Sequence, residues 1–244
     1  MNTLKIKFDN SFYFFLLLIL LTGLFKQFTF VFILLFFHEL GHALMGIIFK
    51  WKIVSITFYP YGGLTKFSSL ENRSIKEELI ILISGPIFQI ITYLIINIFF
   101  KYDYIYNYHL SIILFNMLPI INLDGGKILN LLLNKIFNYL NSFYISIFIS
   151  FLTIIFLILF CIFYYNNLNL FLLILLLIFK VINCIKNIKY YYNKFLLERY
   201  LYNFNYNNIK IINNKKSFYR EKKHYINFTM EKDYLKKVFN FIEK

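Results

Sequence analysis

The sequence is poor in charged residues, glycine, proline and cysteine. Charged residues make up 16% of the 244 positions, whereas about 25% is usual for a soluble domain. Eight glycines and three prolines exclude a collagen-like repeat, and the two cysteines, Cys161 and Cys184, exclude a disulfide framework. Hydrophobic residues amount to 59% of the chain, which excludes a disordered protein. The class that remains is an integral membrane protein.

Six apolar runs have about the length that a helix needs to cross ~30 Å of hydrocarbon. They cover residues 11–25, 28–49, 79–100, 105–134, 143–165 and 168–185. Lys5 and Lys7 before the first run are also typical of a signal peptide, but no small-residue cleavage site follows, so we predict a retained span. The predicted fold class is an all-α polytopic membrane protein with about six transmembrane helices in residues 1–187.

Positive charge is concentrated at the C-terminal end of the chain. Residues 180–244 carry +10 of the net charge of +14. If the N-terminus is cytosolic, only Lys26 and Lys101 among the loop lysines lie outside, which follows the positive-inside rule and places both termini in the cytosol. Residues 188–244 are predicted to form a short basic cytosolic tail. Its charge fits anionic lipid or an acidic partner better than nucleic acid.

A His-Glu-x-x-His sequence, formed by His38, Glu39 and His42, lies inside the second apolar run. Ionisable groups at that depth are costly and usually functional. Helix positions four apart point the same way and lie about 6 Å apart along the axis, so both imidazoles can bind one metal ion. Glu39 lies about 100° round the helix, where it can reach a water activated by that metal. The alternative is a pair of core histidines bonded to neighbouring helices.

Asp124 is the candidate for a third metal ligand. A catalytic zinc ion usually has three protein ligands and an open fourth position. Among the remaining aspartates and histidines, only Asp124 is embedded in an apolar run. Lys50 and Lys135 mark the cytosolic ends of the second and fourth spans. Measured from these lysines, His42 and Asp124 lie at membrane depths that differ by about one helical turn. We therefore predict one Zn²⁺ bound by His38, His42 and Asp124. The alternative for Asp124 is an ion pair with Lys127.

The residues around Asp124 are unfavourable for a continuous helix. Pro119 removes a backbone hydrogen bond and two glycines loosen the chain, so we predict a break in the fourth span. Irregular backbone at membrane depth is tolerated where it lines a cavity. The residues predicted to position a substrate are Asn116, Pro119, Asn122, Gly125 and Gly126. For the two asparagines, bonding to carbonyls freed by the break is an equal alternative.

Residues 53–67 alternate β-branched and aromatic side chains on either side of Pro60-Tyr61-Gly62-Gly63. This pattern predicts a small membrane-associated β-hairpin at the cytosolic mouth. Its edge could accept a substrate strand. An ordinary interfacial loop is the alternative.

With these motifs the chain resembles the site-2 protease family of intramembrane zinc metalloproteases, peptidase family M50, and especially its sporulation branch. The resemblance spans about residues 25–187. It rests on Phe37 to His42, Pro60 to Gly63, Glu77-Glu78, Ser84-Gly85-Pro86, Asn116 with Pro119, and Asp124 to Gly126. It implies a three-helix catalytic core over about residues 27–137, with zinc held at positions 38, 42 and 124 and Glu39 as general base. Gln89 stands where an asparagine is expected.

The resemblance also implies partners and a location. The substrate would be a membrane-associated protein, a sporulation pro-sigma factor that loses its N-terminal pro-sequence near the cytosolic side of the mother-cell membrane around the forespore. Membrane-protein inhibitors would restrain the enzyme. The tail is predicted to be too short for the paired CBS domain of some relatives. The alternative function is a metal-binding, non-proteolytic scaffold or transporter, although transport favours polar spans, and spans five and six are expected to be almost entirely apolar inside.

Overall fold

A computed structural model of the chain describes residues 5–60, 62–68, 71–164, 168–226 and 229–240. The chain divides into two compact units. The first lies within residues 1–69 and 76–116, and the second lies within residues 70–75 and 117–244.

The first unit combines apolar helices with a three-stranded sheet. Its helices are α1 (Asn10–Thr22), α2 (Phe25–Ile48), α3 (Ile75–Phe99) and α4 (Asp103–Asn116), and its strands are β1 (Ile6–Phe8), β2 (Ile53–Tyr59) and β3 (Gly62–Phe67). Strands β2 and β3 pair antiparallel with Tyr59 opposite Gly62, so the predicted hairpin is confirmed. Tyr61 of the predicted turn lies outside the described residues. The parallel pairing of β1 with β2 was not predicted.

The sheet of the first unit packs against α2. Ala43 of α2 belongs to a buried cluster with Phe12 of α1 and with Ile56 and Phe58 of β2. Near the end of α2, a Cβ atom added to Gly46 would lie 2.4 Å from Cε1 of Phe67 in β3. Helix and sheet therefore approach closely here, and a larger residue at position 46 would displace the ring of Phe67. This close packing brings β3 alongside the turn of α2 that carries the His-Glu-x-x-His motif.

The second unit contains helices α5 (Asp124–Ile136), α6 (Tyr139–Tyr164), α7 (Leu168–Leu201) and α8 (Glu231–Asn240), and strands β4 (Asn208–Ile212), β5 (Lys222–Ile226) and β6 (Thr229–Met230). Strand β5 is central, parallel to β4 and antiparallel to β6. The predicted fold class lacked this second sheet. The predicted tail also starts inside α7, because its first 14 residues continue that helix to Leu201.

Four of the described helices are long and apolar enough to cross a membrane, namely α2, α3, α6 and α7. They make the chain an integral membrane protein. Helix α1 is apolar but shorter. The fourth predicted span is divided into α4 and α5 by residues 117–123, so the predicted break is confirmed.

The expectation that spans five and six are almost entirely apolar inside was wrong. Ser142, Ser146 and Ser150 recur every fourth residue on α6, and all three are buried. Asn130 of α5 donates from Nδ2 to Oγ of Ser146 at 3.0 Å, and the backbone N–H of Ile121 donates to Oγ of Ser150 at 3.0 Å. The serines thus provide polar partners to α5 and to the break, where no water is available in a bilayer. In α7, Lys180 adds a basic residue within the sixth predicted span.

Candidate metal centre

His38 and His42 lie one turn apart on α2 with their rings together. Their side chains are buried, and the ring centroids are 4.9 Å apart. Nδ1 of His42 lies 2.7 Å from the backbone oxygen of Ile81. A carbonyl oxygen can only accept, so this nitrogen carries the hydrogen and Nε2 retains the lone pair that a metal needs. Nδ1 of His38 lies 3.0 Å from Oε1 of Gln89.

Gly85 of α3 faces the same ring nitrogens. A Cβ atom at this position would lie 2.3 Å from Nε2 of His42 and 3.0 Å from Nε2 of His38. Both distances are shorter than an ordinary carbon–nitrogen contact, so no other residue fits without displacing the rings. The backbone of α3 at Gly85 therefore packs directly against the edges of the two rings that carry the Nε2 atoms.

Asp124 is the first residue of α5 and is buried. The two following glycines pack directly against the break: a Cβ atom at Gly125 would lie 2.1 Å from the backbone oxygen of Met117, and one at Gly126 would lie 2.0 Å from that of Ile120. The glycines therefore belong to the first turn of α5, and their smallness lets residues 117–123 fold against it. They do not lie in the break, contrary to the prediction that they loosen it.

The three predicted ligands come together. His38, His42 and Asp124 each offer one ligand atom, and these atoms all lie within 4.8 Å of one another. Within the described part of the chain, this is the single group of three or more His, Cys, Asp or Glu residues that could hold a metal ion. Two imidazole nitrogens with one carboxylate oxygen form a donor set typical of catalytic zinc. The donor set and the close grouping of its three atoms fit such an ion.

The alternative partner of Asp124 is also in place. Nζ of Lys127 lies 3.3 Å from Oδ1 of Asp124, but the lysine side chain is 40% exposed. An exposed lysine provides only a weak ion pair. A carboxylate has a second oxygen, so this contact and metal binding are compatible.

Glu39 lies next to the histidines on α2 and is held by β3. Oγ1 of Thr65 donates to Oε2 of Glu39 at 2.7 Å. A Cβ atom at Gly63 would lie 2.9 Å from Oε1, so the carboxyl group rests on the strand backbone. The sequence analysis did not assign roles to Thr65, Gly63 or Gly85. Their roles depend on how β3 and α3 pack on α2, which the motif spacing alone does not reveal.

The remaining predicted residues lie in or beside the break. Nδ2 of Asn122 donates to the backbone oxygen of Lys180 at 2.8 Å, a carbonyl of α7 and not one freed by the break. The backbone oxygen of Pro119 accepts from Ser150 at 3.4 Å, and Asn116 is the half-buried last residue of α4. That Asn116, Pro119, Asn122, Gly125 and Gly126 position a substrate stays a prediction.

The chain is similar to known intramembrane proteases in both sequence and structure. The model of Peptidase family M50 matches residues 27–105, which include most of α2, strands β2 and β3, and α3. The structure is similar to that of the site-2 protease from Methanocaldococcus jannaschii, with a TM-score of 0.56 and 27% identity, covering 75% of this chain and 92% of that one. Both similarities point to the site-2 protease family, peptidase family M50.

Among characterised proteins, the chain is similar to stage IV sporulation protein FB of Bacillus subtilis (strain 168). The two are 35% identical over 121 residues, which cover 46% of this chain and 42% of that protein. The match therefore spans less than half the length of the relative.

Proposed function

We propose that this protein is an intramembrane zinc metalloprotease that hydrolyses a peptide bond of a membrane-associated protein near the cytosolic side. The observation that carries the proposal is the convergence of His38, His42 and Asp124 within 4.8 Å, with Glu39 as the neighbour of His38 on the same helix. Zinc ligands with an adjacent carboxylate are the components of a hydrolytic zinc site. The match of residues 27–105 to the model of Peptidase family M50 supports the same reaction class.

In the proposed reaction His38, His42 and Asp124 would hold one Zn²⁺. When bound, zinc supplies a Lewis acid that polarises a peptide carbonyl and makes water more acidic. Glu39 takes a proton from the attacking water as the new carbon–oxygen bond forms. It then gives that proton to the leaving nitrogen as the carbon–nitrogen bond breaks. The hydrogen bond from Thr65 holds the carboxylate in place during both transfers.

Strand β3 is the proposed docking edge for the substrate. In the sheet order β1-β2-β3, β3 pairs with β2 on one side only, among the described residues. A helical substrate shields its own peptide bonds, so it must become extended before it is cleaved. If the substrate pairs with β3 as an added strand, β3 satisfies the hydrogen bonds of the substrate backbone. The substrate then lies beside Glu39, which contacts Gly63 and Thr65 of β3.

The proposed substrate is a sporulation pro-sigma factor that loses its N-terminal pro-sequence. Support comes from the similarity to stage IV sporulation protein FB. By the same similarity, we propose a location in the mother-cell membrane around the forespore and membrane-protein inhibitors as partners. The excess of lysine on one side of the spans supports cytosolic termini.

A metal-binding scaffold or transporter is the second candidate. It would use the same three ligands but would need no general base. The buried carboxyl group of Glu39, fixed by Thr65, favours a hydrolase over this alternative.

Zinc content is measured on the full chain purified in detergent. Cleavage is measured separately, in cells that co-express the full chain with a candidate pro-sigma factor. We expect the wild type to bind about one zinc ion and to cleave. Glu39→Gln should keep the zinc and abolish cleavage, and Asp124→Asn should lose both. Asp103→Asn, which changes an exposed carboxylate at the start of α4, is the matched control.

Cleavage by Glu39→Gln would refute the role of Glu39. Full zinc content in Asp124→Asn would refute its role as a ligand. If the wild type binds zinc but cleaves no tested precursor, the scaffold alternative becomes the better conclusion.

A further inference from the structure

Gln89 carries a completely buried amide in the middle of α3. Its Oε1 lies 3.0 Å from Nδ1 of His38 on α2, and its Nε2 donates to the backbone oxygen of His109 on α4 at 3.1 Å. An amide buried in the bilayer is costly unless both of its ends are bonded. Here a single side chain links three helices, and one of its two contacts is a predicted zinc ligand.

The contact with His109 determines how the amide is oriented. The backbone oxygen of His109 can only accept, so the NH₂ group of Gln89 must face it and Oε1 must face His38. Oε1 can only accept as well, so Nδ1 of His38 must carry the hydrogen. A neutral imidazole has one hydrogen, so the lone pair of His38 is then on Nε2. This assignment follows from the bonding partners alone.

The anchor of Gln89 is itself held firmly. The ring of His109 stacks on Tyr93 of α3, with centroids 4.2 Å apart and an angle of 12° between the rings. One turn before His109 on α4, Ile105 is buried in a cluster with Leu34 of α2 and Ile96 of α3. The carbonyl that Gln89 contacts is thus fixed by packing among the three helices.

We propose that Gln89 is the positioning residue of His38, which fixes the tautomer and ring orientation in which Nε2 binds the metal ion. This inference rests on the metal centre of the proposed function. For His42 a backbone oxygen, that of Ile81, has the same role. For His38 the role falls to a side chain, so it can be tested by substitution. Such partners of metal-bound histidines typically contribute about 10- to 100-fold in metal affinity.

The experiment compares zinc retention in full-length variants purified in detergent. Gln89→Met keeps the length of the side chain but removes the acceptor. Gln89→Glu keeps one oxygen as the acceptor for Nδ1–H, and its other oxygen, when protonated, can donate to the backbone oxygen of His109. We expect zinc release to a chelator to be about 10- to 100-fold faster in Gln89→Met and close to wild type in Gln89→Glu. The visible absorption of the Co²⁺-substituted protein should change in Gln89→Met and be restored in Gln89→Glu.

Thr92→Val is the matched control. Thr92 lies one turn along α3, is also buried, and its hydroxyl bonds only the helix backbone in the described contacts, to the oxygen of Phe88 at 2.8 Å. It should keep wild-type zinc release and the wild-type Co²⁺ spectrum. Unchanged zinc release in Gln89→Met, or equal acceleration in Thr92→Val, would overturn the positioning role while leaving the metal centre intact. A wild-type chain that binds no zinc would overturn the metal centre and this inference together.

Discussion

Thr65 of β3 donates a hydrogen bond of 2.7 Å to Oε2 of Glu39 on α2. This contact joins the edge strand proposed to bind the substrate to the residue proposed to transfer protons. The same hydroxyl lies 3.3 Å from the backbone oxygen of Glu39. In the proposed mechanism, a substrate strand that pairs with β3 would therefore lie beside Glu39, the proposed general base.

Replacing Thr65 with Val should lower substrate cleavage about 10- to 100-fold, because a hydrogen bond to a charged group is worth about 1.5–3 kcal/mol. Zinc content should not change, since Thr65 contacts no predicted ligand. Thr65→Ser should restore most of the activity. Thr57→Val on the neighbouring strand β2 is the control. Cleavage rates are measured with purified enzyme and a pro-sigma substrate, and an unchanged rate in Thr65→Val would contradict the role.

The sequence predicts the local parts of the site but not the parts that depend on packing. His38, Glu39 and His42 follow from helical spacing, and Asp124 follows from the depth of its apolar run. For Gln89, the sequence showed only that a glutamine stands where an asparagine is expected. Its contacts could not be predicted because its partners lie on two other helices. The second sheet was missed because half of residues 203–214 are asparagine, and their pairing with β5 depends on contacts distant in sequence.

Gly85→Ala should abolish zinc binding. The added methyl group would lie 2.3 Å from Nε2 of His42, so the ring must move away from its metal-binding position. Because the helix favours alanine over glycine by about 1 kcal/mol, the variant should still fold. Metal content by elemental analysis is the measurement, and Ile83→Ala, at an exposed position on the same helix, is the control. One zinc per chain in Gly85→Ala would show that metal binding does not require the close packing of the His42 ring on Gly85.

Lys127→Met should leave the zinc content unchanged. Its ammonium contacts one oxygen of Asp124 at 3.3 Å, yet the side chain is 40% exposed and the pair is therefore weak. If Asp124 is a metal ligand, the ion supplies the positive charge that its carboxylate needs. Elemental analysis of Lys127→Met beside Asp124→Asn distinguishes the two interpretations. Equal loss of zinc in both variants would make Lys127 a required part of the site.

A buried polar cluster connects α7, the second sheet and α8. Glu231 accepts hydrogen bonds from Arg199, whose side chain is 2% exposed, and from Nδ1 of His224 at 3.1 Å. The backbone N–H of Tyr219 donates to Nε2 of His224 at 3.0 Å, so the imidazole is neutral. Burial lowers the pKa of His224 below its ordinary 6.5. Burial alone would raise the pKa of Glu231, but the bonds from His224 and Arg199 lower it from 4.5 to about 2.

Both shifts predict that acid destabilises this part of the protein. When the pKa of a group is lower in the folded state than in the unfolded state, the unfolded state takes up the proton at a higher pH. Proton uptake then favours unfolding, so stability falls as the pH falls. The contribution of His224 should decline below pH 6.5, and that of Glu231 is complete above pH 4.5 and declines toward pH 2. Glu231→Gln should therefore lower the thermal unfolding midpoint at pH 7 and flatten its decline below pH 4.5. Circular dichroism of the full chain in detergent measures the midpoint, with Asp233→Asn, an exposed carboxylate on α8, as the control. A Glu231→Gln profile identical to that of the wild type would show that the cluster does not stabilise the fold.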